Sequence, residues 1–494
     1  MFSMTTETAP APEAPPEHTR TFFGQPWSLV HIFGVEMWER FSFYGMQAIL
    51  LLYMFYSTTQ GGLGIPQTVA AGIVGAYGGG VYLATILGAW VADRLLGSER
   101  VLFYSAIVVM AGHVALALIP GVPGLIVGLM LIAIGSGGVK ANATSVVGTL
   151  YTESDPRRDA GFSIFYLGIN LGAFIGPLLT GLLQTSFGFH VGFAAAAVGM
   201  AIGLIQYSFG RKSLPPEARA VPNPLPPRHR LIMVGFGVLA VILVVVAVLI
   251  GVITADNLAI VLVVVIVAAS IAYFSIILSS KKIERIERRR VLSFIPMFIT
   301  SVAFWALYQQ QFTVVTIYAN DSLNLDLFGW TMPVAWVQSI NPIFIIILSG
   351  VFAAIWTKWG AKQPATPYKF AAAAVVMGIA FLLFLPWVNS GAHGTPLLAL
   401  VGILFVFTIA ELLLSPVGLS LSTKLAPKVF HTQMVALFFL SIALGTALSG
   451  VLAAFYSTAT QVPYFAISGI VAIVVGVLLA IGTPWVRKMM SGVR

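Results

Sequence analysis

The chain is 494 residues long, 58% apolar and 9% charged, with a mean hydropathy of +0.95. That balance excludes a soluble domain and fits a protein that crosses a bilayer many times. Without cysteine there are no disulfides or thiolate metal sites, and the net charge of +9 must be traced to its positions before a nucleic-acid partner is considered.

Residues 1–20 are rich in Ala, Pro, Thr and Glu and lack a basic stretch followed by an apolar core. They read as a disordered cytoplasmic tail, not a cleaved signal peptide. Hydrophobic runs follow near 28–57, 68–92, 100–119, 123–150, 160–187, 191–209, 231–253, 258–279, 291–320, 333–357, 368–388, 396–423, 430–456 and 463–489. Several exceed the roughly 20 residues needed to cross, so tilts and kinks are expected. Of 26 Lys and Arg, only Arg40 and Lys140 lie well inside these runs. The others fall in the tails, at span ends or in alternate loops, which places those loops and both termini in the cytoplasm. The positive charge is therefore topology, and no nucleic acid is expected.

The first span carries Glu36, Glu39, Arg40, Phe43, Tyr44 and Gln47 at i, i+3, i+4, i+7, i+8 and i+11. At 3.6 residues per turn they share one face, a polar stripe about 16 Å long. A charge at the centre of a membrane helix costs roughly 2.5–3.5 kcal/mol, so the stripe must face a watery cavity or partners on other helices.

The spans divide into six, two and six. We expect a six-helix bundle over 21–210, a Pro-rich basic linker over 211–230 and a hairpin over 231–280. A second basic linker (281–290) then leads into a C-terminal bundle and tail over 291–494. The hairpin is nearly pure Val, Ile, Leu and Ala, which suits a lipid-facing periphery. Two flanking sixes with a site between them near the bilayer midplane are the usual plan of a secondary transporter. All-α, polytopic, with fourteen transmembrane helices in a 6+6 arrangement plus a two-helix insertion, is the expected fold.

Outside the first helix the deep ionisable residues are Lys140 and Glu411, on helices four and ten of the twelve that remain without the hairpin. These are matching places in the two halves, so the pair can meet across the cavity when one end closes. Asn170, Asn341-Pro342 and Ser415-Pro416 add polar and helix-bending groups. Tyr82, Trp305, Tyr308 and Phe438 are candidate pocket walls, with Ser441 one turn beyond Phe438. His113, alone on an apolar helix, reads as structural, and Asp321 as a solvated helix end. No nucleophile–base pair, metal-ligand cluster or phosphate loop appears, so neither an enzyme nor a cofactor is expected.

These motifs together resemble the proton-dependent oligopeptide transporter family of the major facilitator superfamily, bacterial type. Its first-helix pattern E-x-x-E-R-F-x-Y-Y-G is matched by Glu36, Glu39, Arg40, Phe41, Tyr44 and Gly45. Phe165, Tyr166, Ile169, Asn170 and Gly172 match its helix-five pattern, and the runs from Gly88 to Asp93, Gly137 to Lys140 and Glu411 to Gly418 resemble further segments. The resemblance implies that Arg40 and Lys140 hold a peptide carboxylate and Glu411 the peptide amine. Asn170 and Asn341 would assist, with Tyr44, Tyr82 and Trp305 lining the pocket.

The departures are specific. Gln47 stands where members commonly have arginine and Gln309 where they have a helix-seven glutamate; Phe438 replaces a frequent tryptophan, and Tyr308 a second glutamate of some members. Losing both charges together avoids an unpaired buried ion, so we expect an uncharged extracellular gate between Gln47 and Gln309, with Lys140 and Glu411 as the other gating pair. Proton coupling then falls on Glu36, Glu39 and Arg40, with Glu411 accessory. The expected function is proton-coupled import of di- and tripeptides by alternating access in a bacterial inner membrane, by a monomer. A related porter for another small anion or metabolite, and a peptide sensor that does not transport, are the alternatives.

Overall fold

A computed structural model describes residues 21–152 and 155–493; the expected tail over 1–20 lies outside them. The first six helices are α1 (Ser28–Phe55), α2 (Gln67–Val91), α3 (Ser98–Leu118), α4 (Gly121–Gly148), α5 (Arg158–Phe187) and α6 (Phe189–Gly210). Two more, α7 (Pro227–Leu249) and α8 (Leu258–Ser279), form the insertion. The second half comprises α9 (Arg285–Tyr308), α10 (Val314–Ser322), α11 (Ile340–Trp359), α12 (Thr366–Leu382), α13 (Leu397–Leu425), α14 (His431–Ala453) and α15 (Gln461–Met490).

Among the described residues, thirteen helical segments are long and apolar enough to cross a membrane. The first helix, α1, is 28 residues long, about 42 Å, and makes the fourteenth despite its charges. Those charges are buried: Glu36, Glu39 and Arg40 are each 3% exposed or less.

Within each half the helices pack through close backbone approaches, which van der Waals association in a bilayer requires. A Cβ on Gly45 of α1 would come within 2.7 Å of the Thr180 methyl on α5. The insertion differs. No residue of α7 is buried, whereas α8 buries Ala259, Ile266, Ser270 and Ile277 along one line, packed on α2 and α14. Nearly all the apolar side chains of α7 are exposed.

Two expected spans start or continue irregularly. The run over 291–320 is not one helix: α9 stops at Tyr308, a 3-10 turn covers Gln309–Phe312, and α10 resumes at Val314. Thr313 separates them with φ −124° and ψ −92°. The expected interruption at Asn341-Pro342 is in fact a beginning. Pro342 sits in the first turn of α11, where its missing N–H needs no partner, after a 3-10 turn over Val334–Ser339.

The two six-helix groups touch unequally along their length. At the end away from the basic loops, Tyr56 donates to Asn320 Oδ1 (2.7 Å), Trp336 Nε1 to the Leu178 carbonyl (2.9 Å) and Ser339 to the Phe174 carbonyl (2.8 Å). There too α2 crosses α14 so closely that a Cβ on Gly75 would lie 2.5 Å from the Gly450 backbone. Toward the basic loops, none of the described hydrogen bonds or ion pairs joins the groups. The molecule is sealed at one end and parted at the other.

Candidate functional site

Between the two groups lies a cavity of about 280 Å³, lined from α1, α2, α4, α5, α9, α11, α13 and α14. That is near the lower end of the roughly 300–1,000 Å³ of small-molecule sites. Its walls carry different chemistry.

The wall from the first half holds the charges of α1 and α4. Arg40 Nε lies 2.7 Å from Glu36 Oε1 and 3.3 Å from Glu39 Oε2. Helical spacing explains the first contact, since i and i+4 share a face. Ser136 on α4 donates to Glu39 Oε1 at 2.7 Å. One oxygen of each glutamate, Glu36 Oε2 and Glu39 Oε2, is buried and accepts no hydrogen bond. Lys140 Nζ rests 4.2 Å over the Tyr82 ring, a cation–π contact, and makes no ion pair within 4.0 Å among the described residues. Asn170 donates to the Tyr166 carbonyl one turn back (2.9 Å).

The opposite wall holds one carboxylate among neutral donors. Tyr308 donates to Glu411 Oε2 at 2.7 Å and also lies 3.2 Å from Asn341 Oδ1. Asn341 Nδ2 donates to Thr408 Oγ1 at 3.0 Å and, at 3.5 Å, toward Glu411. Trp305 stands edge-on to Tyr308, its ring N–H buried and unpartnered. Arg40, flanked by its two carboxylates, and Lys140 on one wall thus face Glu411 on the other, with aromatic rings among the lining residues.

Two buried amides stand among the residues of the cavity. Gln47 and Gln309 both line it and are almost fully buried, but among the described residues no hydrogen bond joins them, and Gln47 Oε1 has no partner. Toward the basic end the lining residues Thr144 and Tyr166 are exposed, so the cavity opens there.

Most of the sequence-predicted residues meet at this one place. Glu36, Arg40, Tyr44, Gln47, Tyr82, Lys140, Asn170, Trp305, Tyr308, Gln309, Asn341 and Glu411 all line the cavity. Glu39, Phe438 and Ser441 stand behind its surface. Glu39 turns into its own bundle toward Ser136. Phe438 lies against Gly418, and Ser441 shares a hydrogen bond with Ser301 (2.8 Å). Lys140 and Glu411 are not paired to each other here. Gln311 and Gln338 were not anticipated. Gln338 Nε2 donates to Thr316 Oγ1 (3.1 Å) while its Oε1 is buried and free. The run Gln309-Gln310-Gln311 in an apolar helix was the available signal for the first; nothing marked the second.

Known proteins resemble this chain over most of its length. The family model described as the POT family matches residues 99–472. A di-/tripeptide transporter of Lactococcus lactis subsp. cremoris is 40% identical over 493 residues, 96% of this chain and 98% of its own. The crystal structure of a peptide transporter POT in complex with sulfate superposes with a TM-score of 0.92 at 41% identity, covering 96% of this chain and 98% of that one. A POT family transporter solved with 5-aminolevulinic acid gives 0.89 at 38% identity, covering 95% and 98%. The chain belongs to the POT family of membrane transporters.

Proposed function

We propose that this protein imports di- and tripeptides by alternating access, coupled to proton entry. The observation that carries the proposal is the two-walled cavity, with Arg40 and Lys140 on one side and Glu411 on the other. A short peptide is a zwitterion whose carboxylate and amine are several ångströms apart. Charge-assisted hydrogen bonds at both ends hold it while its side chains meet adaptable aromatic walls.

Coupling rests on Arg40. While it pairs with Glu36 and Glu39, both carboxylates keep a counter-charge. When Arg40 turns to the peptide carboxylate, two anions are left close together in a dry bundle, and a proton neutralises one of them. One proton moving down 100 mV supplies about 2.3 kcal/mol, enough to accumulate substrate. Gln47 and Gln309 then serve as a gate that opens and closes without a titrating group, and Lys140 meets Glu411 when the basic end shuts. With the basic loops and both termini in the cytoplasm of a bacterial inner membrane, the state described is open to the cytoplasm. The working unit is the monomer.

The assignment is tested by counterflow. Liposomes containing the purified protein and loaded with unlabelled di-alanine should take up labelled di-alanine without any pH gradient, and tripeptides should compete. No exchange, and no competition by any short peptide, would overturn it. A second reading, transport of another small zwitterion, is favoured by the solved relative that holds 5-aminolevulinic acid; that compound competing where peptides do not would select it.

A further inference from the structure

A second cavity of about 490 Å³ lies at the basic-loop end of the C-terminal helices, separate from the transport site. Lys369 in the first turn of α12, Lys424 in the last turn of α13 and Arg487 in the last turn of α15 all line it. Gln363, Thr366 and Ser420 add polar side chains, and no carboxylate is among its lining residues. Lys369 is the unusual member, being only 9% exposed. Its ammonium donates to Gln363 Oε1 at 2.8 Å and sits 4.0 Å over the Trp356 ring, yet no anion pairs with it among the described residues. It also lies at the positive end of α12, whose N-terminus has no side-chain cap. Burying a charge there without a counter-ion is unfavourable.

The first half shows how such a corner is normally completed. There α3 packs on α4 and α6, as α12 packs on α13 and α15. Glu99, in the first turn of α3, is fully buried and accepts from Arg211 Nε (2.7 Å) and Nη2 (3.0 Å), just past the end of α6. Arg219 adds a third contact at 3.5 Å. Among the described residues, the cations of one corner thus have an anion and those of the other have none.

We propose that the Lys369–Lys424–Arg487 cleft binds a phosphate ester, the headgroup of an anionic phospholipid in the leaflet at the basic-loop end. Exposed Trp359, Tyr368 and Trp485 beside the cleft mark the membrane–water interface at its level. Basic pockets between membrane helices on that side take such headgroups, which the leaflet supplies at high local concentration. Bound there, the lipid ties the inner ends of α12, α13 and α15 together, and α13 is the helix that carries Glu411.

The test is thermal melting of the purified full chain in detergent, titrated with dioctanoyl phosphatidylglycerol, dioctanoyl phosphatidylcholine or inorganic phosphate. Saturable stabilisation by phosphatidylglycerol is expected, with none by phosphatidylcholine. A Lys424→Gln, Arg487→Gln variant should need about thirtyfold more phosphatidylglycerol, from about 1 kcal/mol per cation. Both side chains are exposed and outside the transport cavity, so counterflow exchange should survive. Equal stabilisation by both lipids, or an unchanged titration in the variant, overturns the site. Inorganic phosphate acting as well as the lipid overturns the lipid as its source.

Discussion

The two walls of the transport cavity solve the same problem in opposite ways. The α1–α4 wall keeps four ionisable side chains, two of each sign, with Arg40 bracketed by Glu36 and Glu39. The α9–α13 wall keeps one carboxylate, held by Tyr308 and Asn341, which carry no charge. The first is a set of mutually dependent ions, where removing one strands the others. The second is a single ion on neutral supports, where removing a support costs only a hydrogen bond. Buried ion pairs are poor sources of stability but strongly destabilising when broken. We therefore place the switching element on α1 and the substrate-reading element on α13.

That contrast sets the size of each expected effect. Arg40→Ala leaves two buried carboxylates facing each other and should destabilise the protein by about 3–5 kcal/mol, read as a large fall in melting temperature and loss of uptake. A melting temperature close to that of the unaltered protein would mean the α1 ions are not interdependent. Glu411→Gln keeps the shape and removes the charge. It should weaken peptide binding by about 1.5–3 kcal/mol, read as a rise in the competition constant of about ten- to hundredfold, with little loss of melting temperature. Tyr308→Phe removes one donor to Glu411 and should cost about 0.5–1.5 kcal/mol of peptide affinity. The smallest net change should come from the gate when both of its amides are replaced together. Gln47→Arg alone introduces an unpaired buried cation and should lower uptake, whereas adding Gln309→Glu should restore it, read in the double variant against each single one.

Much of the cavity was legible because its residues obey helical spacing. Glu36, Arg40, Tyr44 and Gln47 recur on one face of α1, and any helix through them presents one stripe. Lys140 and Glu411 stood out because a membrane span tolerates an ion only for a reason. What could not be read was rotation and interruption. Phe438 lies on a helix that does border the cavity, but its ring packs against Gly418, and an apolar helix offers no pattern that fixes that phase. The break at Gln309–Phe312 carries no proline or glycine, so local propensity argued for a continuous helix. Gln338 entered the site because a 3-10 turn ahead of α11 brings it to the sealed end. Such turns are set by tertiary packing and leave little trace in composition.

The measurement that bears most directly on the account is gradient-driven uptake of labelled di-alanine into liposomes, compared among the unaltered protein, Glu36→Gln and Glu39→Gln. An inward proton gradient should drive accumulation by the unaltered protein and by neither variant, while counterflow exchange persists in all three. Accumulation that survives both substitutions would contradict coupling on α1 and move the proton to Glu411 or Asp321.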